Sequence, residues 1–63
     1  MKKWLIEVEY QSTWYVSILN DESHTHEECL STLEDARRRT GLNLDDTYRL
    51  RHVETDEIRP ARL

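Results

Sequence analysis

Side chains alternate along residues 3–10, and this pattern predicts a half-buried β-strand at the start of the chain. One side of the segment is entirely apolar and the other is mainly acidic. A period of two residues is typical of a strand with one face on a core. The apolar side consists of Trp4, Ile6, Val8 and Tyr10, and the other side consists of Leu5, Glu7 and Glu9.

A second alternating run, Trp14–Leu19, is rich in aromatic and β-branched residues and predicts a second strand. Because the two runs are adjacent in sequence, we expect them to form an antiparallel hairpin. A three-residue loop at 11–13 would align the apolar sides of both strands. This register predicts that one covered sheet face contains Trp4, Ile6, Val8, Trp14, Val16 and Ile18.

A helix is predicted over residues 26–40, with signals at both ends. Thr25 and Glu28 match a capping box, in which each side chain accepts a hydrogen bond from a backbone N–H. Gly41 is a typical C-terminal stop. The acidic residues early in the helix and the basic residues late in it also complement its dipole. The residues at helical spacing on its apolar side are Cys29, Leu30, Leu33 and Ala36.

A third strand is predicted over residues 47–54, where the alternation returns. Antiparallel pairing with the first strand can set Arg49 opposite Glu9 and Arg51 opposite Glu7, which matches opposite charges. The first strand is then central in the sheet. We therefore expect an α+β fold of order ββαβ, in which a three-stranded antiparallel sheet of order 2-1-3 carries one helix on one face.

One domain is expected, covering residues 1–55, followed by a flexible C-terminal tail at 56–63 that contains Pro60 and shows no period. The chain has 63 residues, a net charge of −4 and a single cysteine, Cys29, which cannot form an internal disulfide. No charged leader with an apolar stretch opens the sequence, so we expect a soluble cytoplasmic protein. A domain of this size buries a small core and often gains stability from self-association.

His24, His26 and Cys29 lie within six residues and are considered as zinc ligands, because zinc accepts nitrogen and sulfur donors. Their spacing matches no standard zinc motif, and Cys29 falls on the apolar side of the helix. A buried cysteine beside exposed histidines is the simpler interpretation. The single glycine also excludes a glycine-rich phosphate loop. We therefore expect no metal, no cofactor, no catalytic residue and no enzyme activity.

The sheet face without a helix is the predicted interaction surface. It combines apolar side chains with paired charges, and the outer strands offer edges for strand addition. We therefore expect a protein partner, self-association as a homodimer, or both. The residues predicted to contact the partner are Leu5, Tyr15, Leu19, Arg49, Arg51 and Val53.

Nucleic-acid binding is the alternative function, with contacts from Arg37, Arg38 and Arg39 together with Arg49 and Arg51. An acidic chain is a poor general binder of phosphates, since such affinity rests on many uncompensated positive charges. Three arginines at a helix end also have a simpler role in complementing the dipole. A protein partner is therefore the first hypothesis and nucleic acid the second.

Three runs of the sequence carry a family resemblance: WYVSILND, THEECLSTLEDARRRTG and YRLRHVE. In residue types and order they resemble the small ββαβ accessory proteins found among bacteriophage and prophage proteins. The resemblance covers residues 3–55 and transfers no catalytic residue. It implies an accessory protein of the host-cell cytoplasm that binds, and modulates or inhibits, a host or defence protein.

Overall fold

A computed structural model describes residues 3–20 and 24–62 of the chain. The strands form one antiparallel sheet in the order β2-β1-β3-β4, and the α+β class is confirmed. Within these described residues the sheet has four strands rather than the three that were predicted. The elements are β1 (Trp4–Tyr10), β2 (Thr13–Val16), a 3-10 helix (Ile18–Asn20), α1 (His26–Thr40), β3 (Tyr48–His52) and β4 (Ile58–Pro60).

The unpredicted strand, β4, pairs with β3 at the second edge of the sheet. Ala61 follows it and is buried in the core, where its carbonyl oxygen accepts a hydrogen bond from Arg37 Nη2 at 2.6 Å. The stretch 56–63, expected to be a tail, therefore contains a strand and a core residue. Pro60 is compatible with this strand because an edge position does not require every N–H to join the ladder.

The helix α1 has the predicted bounds, and both predicted ends are confirmed. Thr25 Oγ1 accepts from the Glu28 N–H at 3.1 Å, and Glu28 Oε1 accepts from the Thr25 N–H at 3.0 Å. Gly41 adopts φ 70°, and its N–H donates to the Arg37 carbonyl at 2.8 Å. No helical segment within 3–20 or 24–62 has the length and hydrophobicity of a bilayer span.

The hairpin register differs by one residue from the predicted register. Tyr10 pairs with Thr13, so the loop is the two residues 11–12, whose φ angles are 51° and 64°. Two positive φ angles are the pattern of a type I′ turn, whose twist matches that of the strands. A shift of one residue moves every side chain of a strand to the other face. Trp14 and Val16 therefore lie on the face away from α1, and their predicted burial beneath the helix is wrong.

The second strand is also shorter than predicted, because the chain leaves the sheet after Val16. The 3-10 helix then brings the buried Asn20 back to β1, where its Oδ1 accepts a hydrogen bond from the Ile6 N–H at 3.0 Å. This side chain takes the place of further strand pairing. Ile18 is exposed in the 3-10 helix, so its predicted position in the core is wrong.

The β1–β3 pairing is antiparallel as predicted but lies two residues from the predicted register. Glu7 is opposite Arg49 and Leu5 is opposite Arg51. The predicted pairing of Arg49 with Glu9 is wrong, because both arginines bond to Glu7. A shift of two residues keeps each side chain on its face, so the predicted separation of polar and apolar sides is retained.

The core lies between α1 and the face of the sheet that contains the even-numbered residues of β1 and β3. Trp4 and Ile6 anchor it on β1, and Cys29 and Leu33 anchor it on α1. Val8 is only half-buried, since it lies nearer the hairpin end of β1. The buried apolar residues are Trp4, Ile6, Cys29, Leu33, Leu44, Leu50 and Ala61.

Candidate functional site

The face of the sheet opposite α1, called here the open face, receives side chains from all four strands. Its composition follows from the observed registers and from the alternation of side chains along each strand. Charged residues occupy its centre and apolar residues its margins. The open face consists of Leu5, Glu7, Glu9, Trp14, Val16, Arg49, Arg51, Ile58 and Pro60.

Glu7 lies at the centre of the open face and is only 5% exposed. Its Oε1 accepts a hydrogen bond from Arg49 Nε at 2.8 Å, and its Oε2 accepts one from Arg51 Nε at 2.9 Å. Arg51 Nη1 also donates to Asp56 Oδ1 at 3.0 Å. One carboxylate therefore fixes two arginine side chains on the sheet, and these side chains shield it from water.

The electrostatics of this cluster keep Glu7 ionised. Burial raises the pKa of the Glu7 carboxyl, but the hydrogen bonds and positive charges of Arg51 and Arg49 lower it by more. The net pKa lies below its ordinary value of 4.5. The hydrogen bond with Glu7 likewise raises the pKa of Arg51. The centre of the open face is thus charged at neutral pH, with its charges largely compensated.

Trp14 extends this cluster toward the edge of the sheet. The guanidinium carbon of Arg49 lies 4.1 Å from the centroid of the Trp14 ring, within the range of a cation–π contact. Since Trp14 is on β2 and Arg49 is on β3, the contact crosses the intervening strand β1. We call the connected residues Trp14, Arg49, Glu7 and Arg51 the Glu7 network.

Exposed apolar side chains flank the Glu7 network. Val16 on β2 is 54% exposed, and Ile58 on β4 is 48% exposed. Leu5 lies between them on β1 and is half-buried. Trp and Arg are among the residue types that contribute most binding free energy at protein interfaces. Side chains that are already fixed also lose little conformational entropy on binding. The open face therefore combines apolar area with fixed hydrogen-bond donors.

Three of the six residues predicted to contact a partner lie together on the open face. Leu5 and Arg51 are opposite each other on neighbouring strands, and Arg49 is two residues from Arg51 on the same strand. Their faces were predicted from the alternation of β1 and β3. That part of the predicted surface is present in the structure.

The other three predicted residues lie elsewhere. Tyr15 is opposite Val8 on the helix side of the sheet, because the hairpin register is shifted by one residue. Leu19 packs against the core from the 3-10 helix. Val53 lies beyond the end of β3 and is exposed. The predicted surface of six residues is therefore not continuous.

Trp14, Val16 and Ile58 also lie on the open face and were not predicted from the sequence to be there. A two-residue hairpin loop, the commonest length, would have placed Trp14 and Val16 correctly. Ile58 belongs to a strand of three residues, which is too short to show alternation. The central role of Glu7 was also missed, since the predicted register divided the two arginines between two carboxylates.

The arginines at the end of α1 form contacts with carboxylates. Arg37 donates from Nε and Nη2 to Asp45 Oδ1 at 3.1 and 2.9 Å, and Arg38 Nη2 donates to Glu34 Oε1 at 3.1 Å. Arg39 is exposed. A shallow groove of about 350 Å³ beside them is lined by Glu34, Arg37, Arg38 and Arg62. Much of the positive charge proposed for nucleic-acid contact is therefore compensated locally.

The residues considered as zinc ligands lie in different environments. Cys29 is fully buried, and its Sγ lies 4.0 Å from the carbonyl oxygen of Trp4. The ring of His26 packs on the indole of Trp4, with ring centroids 5.2 Å apart, and His24 is exposed. Within the described residues, no group of three or more His, Cys, Asp or Glu side chains is arranged to hold a metal ion.

Comparisons with protein-family models, with curated proteins and with solved structures find no match for this chain.

Proposed function

We propose that this protein is a small non-catalytic protein-interaction module that binds its partner through the open face. The observation that carries the proposal is the joint presence of exposed Val16 and Ile58 with arginines fixed by a nearly buried carboxylate. Apolar area contributes affinity, and the fixed guanidinium groups contribute specificity at low entropic cost.

The chemistry of the open face indicates what the partner must offer. Arg49 and Arg51 each use Nε on Glu7, and a guanidinium group has five N–H donors in all. Their remaining donors suit carboxylate or carbonyl oxygens, and Val16 and Ile58 suit apolar side chains. The resemblance to bacteriophage accessory proteins supports a host or defence protein as the partner, with modulation or inhibition as the result.

Affinity capture with matched variants tests the proposal. Ile58→Asp places a charge on the apolar margin of the open face. Leu42→Asp makes the same change at an exposed position outside the sheet and is the control. We expect the protein retained by the wild type to be retained equally by Leu42→Asp, and about ten-fold less by Ile58→Asp.

Circular dichroism of both variants establishes that the fold is unchanged. Equal retention by the two variants would contradict the assignment of the open face. A wild-type protein that retains nothing from a host lysate would contradict the proposed function itself.

A further inference from the structure

The edge strand β2 lacks the features that normally protect the edge of a sheet. Natural edges carry charged side chains, prolines or bulges that prevent pairing with another chain. The strand Thr13–Val16 contains no charged residue and no proline, and it pairs with β1 residue for residue. Its outer side is therefore suited to accept another strand.

The opposite edge, β4, is protected. It ends at Pro60, which has no N–H to donate. Its central residue, Arg59, is charged, and its Nε donates to Glu57 Oε2 at 2.9 Å. Of the two edges, β2 is the one that is open to pairing.

The backbone of β2 presents two residues outward. In an antiparallel pair, successive residues direct their N–H and C=O groups alternately toward the partner strand and away from it. The N–H of Ser17 donates to the Ile6 carbonyl at 2.8 Å. Tyr15 lies two residues before Ser17, so its backbone groups also point toward β1. Trp14 and Val16 therefore direct their backbone groups away from β1.

We propose that the protein forms a two-fold symmetric homodimer in which β2 pairs antiparallel with β2 of a second copy. The axis passes between the two Tyr15 residues. In this register Trp14 is opposite Val16 of the second copy, and the outward groups of both residues form four backbone hydrogen bonds. The two sheets join into one continuous sheet, with the two open faces side by side.

This pairing involves side chains from both faces of β2. Tyr15 is 52% exposed on the helix side, and Val16 is similarly exposed on the open face. In the dimer Tyr15 faces Tyr15 of the second copy across the axis, and Val16 faces Trp14 of the second copy. Cross-strand pairs of aromatic and β-branched residues are favourable. One contact therefore places lateral neighbours beside the exposed side chains of the strand on both of its faces, and the open faces themselves stay uncovered.

A second copy of this chain suits the edge better than a foreign strand because β2 is self-complementary and neutral. Each copy carries a net charge of −4, yet the two-fold contact joins two segments without charge. The open-face carboxylate of Glu9 lies on β1, one strand in from the edge. Across the dimer, two such carboxylates are separated by roughly 14 Å, beyond the screening length of about 8 Å at physiological salt.

Sedimentation velocity over a roughly hundred-fold concentration range tests the dimer, since a short pairing should give a concentration-dependent equilibrium. Tyr15→Lys places two like charges opposite each other at the axis. Tyr10→Lys, at a position 63% exposed on β1, makes the same exchange away from the edge and is the matched control.

We expect the wild type and Tyr10→Lys to move from the 7.6 kDa monomer to the dimer as concentration rises, and Tyr15→Lys to remain monomeric. A wild type that is monomeric throughout, or a Tyr15→Lys variant that dimerises equally, overturns the proposal. Capture through the open face is tested at Ile58 instead, so either proposal can fail while the other stands.

Cysteine cross-linking tests the register. At the axis, Tyr15→Cys places two Cα atoms about 4.5 Å apart, within reach of a disulfide. Val16→Cys places them about 8 Å apart, which is too far. The native Cys29 is buried and stays in place in both variants. Under mild oxidation we expect Tyr15→Cys to cross-link at least about ten times faster than Val16→Cys, and equal or reversed rates would overturn this register.

Discussion

At the scale of single residues, Glu7 has the environment of a core residue on a face that no helix covers within the part of the chain that the structure describes. A carboxylate that is withdrawn from water destabilises the fold unless it is paired and hydrogen-bonded. Arg49 and Arg51 supply both the charge and the hydrogen bonds, one to each oxygen. The stability of the sheet and the geometry of the open face therefore depend on the same side chain.

We predict that Glu7→Gln lowers the free energy of unfolding by about 2 kcal/mol, because two partly buried guanidinium groups lose their counter-charge. Equilibrium unfolding in urea measures this change. Glu34→Gln is the control, since its pair with Arg38 is exposed on the helix surface and should contribute little. A Glu7→Gln effect as small as that of the control would contradict the central role of Glu7.

The same carboxylate should make stability depend on pH. The pKa of Glu7 in the fold lies below its ordinary value of 4.5, so the unfolded chain takes up the proton first on acidification. Its contribution is complete above about pH 4.5 and is lost as the pH falls through the folded pKa. Below about pH 4.5, the urea midpoint of Glu7→Gln should therefore decrease less steeply with falling pH than that of the wild type. The same decrease in both proteins would contradict a contribution from Glu7.

Glu28 contributes to the same acid dependence. The hydrogen bond from the backbone N–H of Thr25, and then that from His24, lower the pKa of the Glu28 carboxyl. Its contribution to stability is lost in the same acidic range. The Glu7→Gln variant should consequently keep part of the acid dependence, and adding Glu28→Gln should reduce it further.

At the scale of elements, the helix and the hairpin show what local sequence determines. Thr25, Glu28 and Gly41 are adjacent to the backbone groups that they satisfy, so both ends of α1 could be predicted from the sequence. The hairpin loop, residues 11–12, has positive φ angles without a glycine or asparagine. The sequence therefore lacks the usual type I′ signal, and the resulting one-residue error exchanged the faces of Trp14 and Val16.

The register between β1 and β3 could not be predicted for a different reason. Arg49 and Arg51 alternate with the same period as Glu7 and Glu9, so a shift of two residues still places unlike charges near each other. Charge matching fixes the face of each residue but not its partner. The choice of Glu7 for both arginines depends on the three-dimensional packing of long side chains.

Replacing the hairpin loop with Asn-Gly should stabilise the protein. Gln11 and Ser12 both adopt left-handed conformations, which Asn and Gly tolerate better. We expect Gln11→Asn combined with Ser12→Gly to raise the free energy of unfolding by about 1 kcal/mol in urea. Ser31→Gly, at an exposed helical position, is a control that should lower it by a similar amount. A destabilised loop variant would instead favour the three-residue loop.

At the scale of the whole molecule, the C-terminal segment completes both the sheet and the core. β4 covers the outer side of β3, and Ala61 is buried and accepts a hydrogen bond from Arg37. A domain of this size has a total stability of only several kcal/mol. Removing this short segment should therefore cost a large fraction of the total stability.

We predict that ending the chain after Glu57 lowers the melting temperature by at least about 10 °C, from a loss of about 2 kcal/mol or more. Thermal unfolding followed by circular dichroism measures it. Arg62→Ala is the control, because the Arg62 side chain is 59% exposed where it contacts Asp45 and the pair should contribute little. A truncated chain that melts within about 3 °C of the wild type would show that residues 58–62 add little to the fold.

Binding of oligonucleotides distinguishes the two hypotheses for function. The positive groups at the end of α1 and on the open face largely contact carboxylates, as Arg37 does with Asp45 and Arg49 with Glu7. We expect titration with labelled single- and double-stranded oligonucleotides at low salt to show no binding that weakens steeply as salt is added. A steep salt dependence that Arg39→Ala reduces would favour the nucleic-acid alternative over a protein partner.

The composition of the open face rests on the position of Trp14, which nuclear Overhauser contacts of its indole ring measure directly. We expect contacts from this ring to the side chains of Arg49 and Glu9, together with an Hα–Hα contact between Trp14 and Glu9, the pair that the two-residue loop places opposite each other. Contacts from the Trp14 ring to Ile6 or Leu33 would place it beneath α1 and would contradict the open face as described.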